Sequence, residues 1–299
     1  MRKKLSLSNI VVVGLARNLE NNLESEVQII NLAFVKAASI RWLVIESDSD
    51  DGTVGTLNKL SVNNAFDFMS LGKLQTKYPK RTERIAECRN RYLEELKVNS
   101  KYNEIDYVVV ADLDGVNSKL TPSAVNSCWQ LDEDWDACFA NSSEAYYDIW
   151  ALRHSVWSPN DCFENYEFLL NNGKSKFEAL NAAVYSRMIK LKNNMYPIEV
   201  ESAFGGLGIY KKSIFLESRY IGLNSNEAEF CEHVSFHNVL REKGFRLFIA
   251  PNLINCGWNE HNKSLKMKNK IKSRLRYSKD ALVKLFTSKD ILKKILKRT

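Results

Sequence analysis

Four short apolar runs, separated by segments whose apolar residues recur every three or four positions, occupy the first 112 residues and fix the kind of fold open to this chain. The runs are Asn9 to Leu15, Ile40 to Glu46, a shorter one near Ala65 to Met69, and Tyr107 to Ala111. Between the first two, Leu23, Val27, Ile30, Phe34 and Ala37 mark one face of a helix, and Ile85, Cys88, Tyr92 and Leu96 do the same along a helix from Arg81 to Leu96. Runs without polar alternation are strands buried on both faces, and strands alternating with amphipathic helices predict an α/β fold with a mainly parallel sheet. Further on, Thr121-Pro122-Ser123 reads as a helix start, Asp136 to Ala140 and Glu201 to Tyr210 as strands, and Glu227 to Lys243 as a helix ended by Gly244. A last strand, Arg246 to Ala250, is expected to stop at Pro251. Residues 155–195 lack a clear period and read as an irregular segment that shapes a cleft.

The chemistry starts where the fourth run ends, in Asp112-Leu113-Asp114-Gly115. Two carboxylates one residue apart at the carboxyl end of a buried strand can converge on a divalent cation, and open α/β sheets bind ligands at that edge. A solvated turn is the other reading of the same residues. At 299 residues and 44% hydrophobic content the chain can bury a large core. No stretch reaches the roughly 18 to 20 apolar residues that cross a bilayer, and no signal peptide is recognised, so a cytoplasmic protein is expected. Six cysteines, scattered without Cys-x-x-Cys pairs, read as reduced buried thiols rather than a zinc site.

Charge is divided unevenly. Residues 263–299 carry 14 Lys or Arg against two acidic residues, a net +12, whereas the preceding part holds 29 basic and 34 acidic residues, a net −5. Leu282, Leu285, Phe286, Ile291, Leu292 and Ile295 recur among those lysines, which predicts a basic amphipathic helical tail suited to an anionic membrane surface. A surface helix docked on the body is the alternative. Nucleic acid is not expected as a partner, because the tail has few aromatic residues for stacking and the body is acidic.

Four stretches together resemble GT-A type glycosyltransferases, and more narrowly the fungal capsule-associated mannosyltransferase-like group and its bacterial relatives. They are Val108 to Gly115, Tyr146-Tyr147-Asp148-Ile149-Trp150-Ala151-Leu152-Arg153, Ser202 to Gly208, and Cys231-Glu232-His233-Val234-Ser235-Phe236. The resemblance implies a Rossmann-like domain over residues 1–262 with the helical tail at 263–299. It also implies a UDP- or GDP-linked sugar donor, Mn2+ or Mg2+ as cofactor, and a glycan or glycolipid acceptor at the inner face of the membrane. Asp114 is the implied direct metal ligand, with Asp112 on ribose or a metal-bound water and His261 as a third ligand. Donor contacts fall to Arg17, Asp48, Arg84, Arg89, Asp148, Trp150, Gly205, Gly206 and Lys263. The Glu232-His233 pair stands where inverting members place Glu-Asp, so either Glu232 or His233 is the base, or His233 is structural. A sugar nucleotidyltransferase, or a non-catalytic carbohydrate-binding or assembly protein on a degenerate transferase fold, are the rival readings. The first would show a glycine-rich phosphate loop, and Gly14-Leu15-Ala16-Arg17-Asn18 supplies one glycine.

Overall fold

The computed structural model describes residues 2–263, 265 and 266. Contacts group the chain into two units, Met1–Gly257 and Trp258–Thr299. In the first unit the chain runs through β1 (Asn9–Ala16), α1 (Leu23–Ala33), β2 (Ser39–Glu46), α2 (Thr53–Leu60), β3 (Phe66–Ser70), α3 (Arg81–Val98) and β4 (Tyr107–Asp112). It continues through α4 (Pro122–Trp129), β5 (Ala137–Ser142), α5 (Cys162–Asn171), α6 (Lys176–Ala183), β6 (Ile198–Glu199), β7 (Leu207–Lys211), α7 (Lys212–Phe215), α8 (Glu232–Glu242) and β8 (Leu247–Cys256).

The strands form one eight-stranded sheet in the order β3-β2-β1-β4-β7-β5-β8-β6. Pairs β1–β2, β2–β3, β1–β4 and β5–β8 are parallel, and β7 and β6 run against their neighbours. This is the mixed, mainly parallel sheet flanked by helices that the apolar runs predict. Val11, Val12 and Val13 of β1 and Val108, Val109 and Val110 of β4 are fully buried, as strands covered on both faces must be. Alternate side chains go to opposite faces. Val12, Val109 and Ala111 join Leu23, Val27 and Ile30 of α1 and Val125 of α4 in one core.

From β1 the chain builds outward to β3 and then returns to lay β4 on the other side of β1, so the order reverses between β1 and β4. Such a switch point leaves a crevice at the carboxyl ends of the strands, because the connections on its two sides diverge. Leu15 pairs with Asp112 and Ala16 with Glu46, so the loops after β1, β2 and β4 all leave the sheet on this edge.

Five local expectations differ from the structure. The first helix ends at Ala33, with Phe34 at its C-cap and Ala37 beyond it. Residues 155–195 contain α5 and α6, each started by a capping side chain: Asp161 accepts from the Phe163 and Glu164 amides, and Ser175 and Glu178 form a reciprocal capping box. The strand expected from Glu201 begins only at Leu207, because Gly205 and Gly206 adopt positive φ angles of 69° and 83° that break the extended chain. Helix α8 starts at Glu232 rather than Glu227, which itself has a φ of 59°. Finally, β8 continues through Pro251 to Cys256. Pro251 occupies a bulge where the register against β5 shifts, so its missing N–H costs no ladder bond, and its carbonyl accepts from Asn141 Nδ2 at 3.0 Å.

The tail expected at 263–299 lies almost wholly outside the described residues. No helix among the described residues is long and apolar enough to cross a membrane. All six cysteines are free and buried.

Candidate functional site

Arg89 is the hub. It projects from α3 and is 4% exposed, an uncommon place for a charge without partners. Its Nε donates to Glu232 Oε1 at 3.1 Å, its Nη1 donates to the Tyr92 hydroxyl at 3.2 Å, and its Nη2 lies 3.7 Å from Asp112 Oδ1. Phe204 and Tyr220 offer their ring faces to it at 5.4 and 5.7 Å. One buried cation therefore ties the end of β4 to the first residue of α8.

Around it gather the acids that the sequence singled out. Incomplete hydration pushes the Asp112 carboxyl up, the Arg89 guanidinium pulls it down, and the carboxylates of Asp114, Asp148 and Glu232 push it up again, leaving it raised. The Asp112 side chain is still 40% exposed, so it faces the crevice rather than the core. Asp114 is exposed, and its carbonyl is held by Asn22 Nδ2 at the start of α1, at 3.1 Å. Asp112 thus lies among three further carboxylates with Arg89 as the one cation acting on it, which leaves the site short of positive charge. That deficit, with two carboxylates one residue apart at the end of β4, fits a divalent cation. Among the described residues, no three or more His, Cys, Asp or Glu side chains form a complete metal cage. Asp112 and Asp114 are the residues at this edge that could hold an ion.

A turn of two glycines closes the site from below. Asp112 N–H donates to the Gly206 carbonyl at 2.9 Å, and Gly205 N–H donates to Asp148 Oδ2 at 2.9 Å. A Cβ on Gly205 would lie 2.7 Å from the Ala140 carbonyl oxygen, and one on Gly206 2.7 Å from the Tyr147 hydroxyl. Asp148 is fixed in the loop after β5, where Ala151 N–H also donates to its Oδ1 at 3.4 Å. Trp150 packs against Phe163 of α5 at 4.5 Å between centroids.

A second polar group lies at the end of β2. Asp48, 3% exposed with a φ of 59°, accepts from the Gln75 amide through Oδ1 at 3.0 Å, and its Oδ2 has no hydrogen-bond partner and stands 4.0 Å from Arg84 Nε. Arg84 is itself anchored by Nη1 on the carbonyls of Tyr78 and Pro79 at 2.8 and 2.7 Å. Arg17 is exposed on the loop after β1, which is laced to the β2 loop by Asn18, whose N–H donates to Ser49 Oγ and whose Oδ1 accepts from Asp50 N–H. The predicted residues therefore form an acid–arginine centre at Asp112 and an Asp48–Arg84 pair two strands away on the same edge. His261 and Lys263 belong to the second unit, where His261 Nε2 lies 3.5 Å from Glu260 Oε1.

His233 is a core ring. It stacks on Phe204 with centroids 3.9 Å apart, is 3% exposed, and neither nitrogen has a hydrogen-bond partner. Burial, with Arg89 and His237 nearby, holds it neutral far below the usual imidazole range, so it is a poor proton acceptor at neutral pH. His237, for which the sequence offers no partner, is bonded on both sides: Ser202 Oγ to Nδ1 and the Tyr210 hydroxyl to Nε2, each at 2.8 Å.

Burial and Arg89 push His237 down to about 3. Because its folded value is below the unfolded 6.5, the stability it contributes is complete above pH 6.5 and is lost as pH falls from there toward 3. Chemical denaturation is expected to show His237→Gln losing about 2 kcal/mol less than wild type between pH 6.5 and pH 5. Equal losses would contradict this account of the ring.

The sequence reading passed over Glu26, Asn117 and Asn255, all three buried beneath the Asp112 loop. Isolated amides carry no period or spacing that marks them in advance. A separate hollow of about 330 Å³ along α4, lined by Lys119, Thr121, Ser123 and Asn252 among others, contains none of the clustered acids.

No family model and no curated protein matches the sequence. Among solved structures, a mannosyltransferase of Pyrobaculum calidifontis in complex with GDP-Man and Mn2+ is 13% identical with a TM-score of 0.44, over 84% of this chain and 57% of that one. Residues 1–349 of TarS of S. aureus in complex with UDP are 11% identical with a TM-score of 0.48, over 84% of this chain and 60% of that one. GalNAc-T7 with UDP, GalNAc and Mn2+ is 14% identical with a TM-score of 0.47, over 82% and 43%. The chain spans less than two thirds of the length of each of these proteins.

Proposed function

We propose that this chain is a metal-dependent glycosyltransferase that moves a sugar from a UDP- or GDP-linked donor to a glycan or glycolipid acceptor. The observation that carries the reading is the gathering of Asp114, Asp148, Glu232 and the buried guanidinium of Arg89 around Asp112, at the switch point of the sheet and beside a glycine turn. Mn2+ or Mg2+ held by Asp114 and Asp112 would neutralise the charge that grows on the diphosphate as its bond to the sugar breaks.

The other residues along this edge take the remaining roles. Asp48 accepts a hydrogen bond from base or ribose through its unpartnered Oδ2, with Arg84 beside it near the phosphates and Arg17 at the loop edge. Gly205 and Gly206 let the backbone approach the donor sugar, Asp148 binds a sugar hydroxyl, and Trp150 packs against a sugar face. Arg89 keeps Glu232 and Asp112 in place more than it clamps phosphate, since two of its nitrogens are already engaged. Of the two base candidates, Glu232 is preferred over His233, because a carboxylate accepts a proton at neutral pH and a buried neutral imidazole does so poorly. His261 and Lys263 as third metal ligand and phosphate contact, the division into a 1–262 domain and a 263–299 tail, and attachment of that tail to an anionic membrane belong to the same proposal.

The test is release of nucleoside diphosphate from a panel of UDP- and GDP-sugars with Mn2+, with and without glycan acceptors. One donor is expected to turn over, and Asp114→Ala to slow it by about 10²–10³-fold or more. Turnover of no donor would move a non-catalytic carbohydrate-binding or assembly role to the front, and equal turnover by the variant would remove Asp114 as the metal ligand.

A further inference from the structure

Beneath the Asp112 loop runs a chain of three side chains that connects α1 to β8 through the two backbone segments of the site. Asn117 Nδ2 donates to Glu26 Oε2 at 2.8 Å and to the Asp112 carbonyl at 2.7 Å. Asn255 Nδ2 donates to Asn117 Oδ1 at 3.1 Å and to the Gly205 carbonyl at 2.8 Å. Glu26 is 1% exposed, and Asn117 and Asn255 are fully buried. Asn255 Oδ1 has no hydrogen-bond partner. A Cβ on Gly206 would come within 3.2 Å of Asn255 Nδ2, so amide and glycine turn are packed against each other.

This is a costly set of groups to bury, and packing alone does not call for it. A carboxylate and two amides taken out of water, one with an oxygen left unpaired, are less stable than apolar residues of the same shape. What the amides gain is geometry. Their donors reach two carbonyls that belong to separate segments, one at the end of β4 carrying the metal-binding acids and one in the glycine turn before β7. The antiparallel β4–β7 ladder ends with Ala111 opposite Leu207, and the bond from Asp112 N–H to the Gly206 carbonyl carries it one step further. The amide chain holds the carbonyls of Asp112 and Gly205 just beyond that end, where both segments leave the sheet.

We infer that Glu26, Asn117 and Asn255 are positioning residues that lock the Asp112–Asp114 loop and the Gly205–Gly206 turn in one register, so that the acids and the turn meet a metal-bound diphosphate without rearrangement. The inference deepens the transferase reading and rests on it for the identity of the ligand. Preorganisation of this kind is seen as lost affinity when the supporting contact is removed while the ligating groups stay intact.

The test compares Asn255→Ala, Asn255→Asp and Asn117→Ala with Val125→Ala, a truncation in the core under α4. Asn255→Asp matters most, since it keeps the volume and loses the donors. Two quantities are read on the full chain: the Kd of Mn2+ with UDP or GDP, and hydrogen exchange at the Asp112 and Gly205 amides. The three amide variants, Asn255→Asp included, are expected to bind the metal–diphosphate at least about tenfold more weakly and to exchange the Asp112 amide at least about tenfold faster. Val125→Ala, at a comparable loss in Tm, should alter neither. Binding and exchange in the amide variants no different from Val125→Ala would overturn the inference and leave the three residues as ordinary core. If wild type itself binds neither diphosphate, the transferase reading fails, and the exchange result alone decides whether the two segments are locked by the amides.

Discussion

Replacing Arg89 by leucine is expected to destabilise the protein by about 3–5 kcal/mol at pH 7.5, the cost of removing one partner from a buried ion pair. The size follows from what is left behind. Glu232, only 7% exposed, loses the guanidinium 3.1 Å away, and Asp112 is left among acids with no cation beside it. Leucine restores none of the ring contacts to Phe204 and Tyr220. The Asp112 carboxyl, already raised to about 8 with the arginine present, rises further without it, and this adds to the penalty only as pH climbs through about 8. Urea unfolding of wild type and variant at pH 7.5 measures the loss. A small penalty would mean that Arg89 behaves as a solvated surface arginine.

Gly205→Ala should be nearly as damaging, by a different route. At φ 69° an alanine is strained wherever it is placed, at a cost of about 1–2 kcal/mol. Its Cβ would also stand 2.7 Å from the Ala140 carbonyl oxygen, a backbone atom in the middle of the sheet that cannot move aside as a flexible side chain would. Overpacking of this kind adds about 1–3 kcal/mol, for a combined loss of about 3 kcal/mol. A thermal scan should place the variant about 6–12 °C below wild type. The contrast is Gly55, in the middle of α2, where an added Cβ meets nothing within 4 Å and alanine suits a helix better than glycine. Gly55→Ala should hold or raise Tm, and a fall as large as that of Gly205→Ala would contradict the steric argument.

Why some of this was legible in the sequence and some was not has physical causes. Buried parallel strands need apolar residues on both faces, so β1, β2 and β4 show as plain runs, and the loop acids that follow them are placed as soon as the strands are. Helix α2 escaped because Thr53-Val54-Gly55-Thr56 is a poor helix former; its start is held by Glu20 Oε2, which accepts from the Gly52 amide at 3.1 Å, and by Thr53 Oγ1, which accepts from the Leu19 amide at 2.7 Å, contacts made only once the two loops meet. Helix α6, by contrast, announced itself in Ser175-Lys176-Phe177-Glu178, the signature of a capping box, and was passed over because its apolar face is weak. Pro251 misled because the rule that proline stops a strand assumes a regular ladder, and a bulge suspends it. At the site, carboxylate spacing singled out Asp112 and Asp114, and Arg89 was expected with Arg84 as a donor contact; its burial between Glu232 and Asp112 depends on α3 meeting α8 and β4, which no spacing encodes. That His233 would stack on Phe204 depends on two segments 29 residues apart closing on one another, which no spacing encodes. Asn117 and Asn255 escaped for the same reason, being separated by 138 positions.

The central claim, that Asp112 and Asp114 hold a divalent cation for a nucleoside diphosphate, is tested most directly by thermal stabilisation. Wild type and Asp114→Ala are melted with UDP, GDP, CMP and dTDP at millimolar concentration, each with and without Mn2+. A ligand that binds the folded state at a hundred times its Kd adds about 2.7 kcal/mol, which raises Tm by roughly 5–10 °C in a chain of this size. The account predicts that UDP or GDP does so only with Mn2+ present and that Asp114→Ala abolishes the shift. Stabilisation by no diphosphate, or an equal shift in the variant, would contradict it and return Asp112-Leu113-Asp114 to the status of a solvated acidic turn.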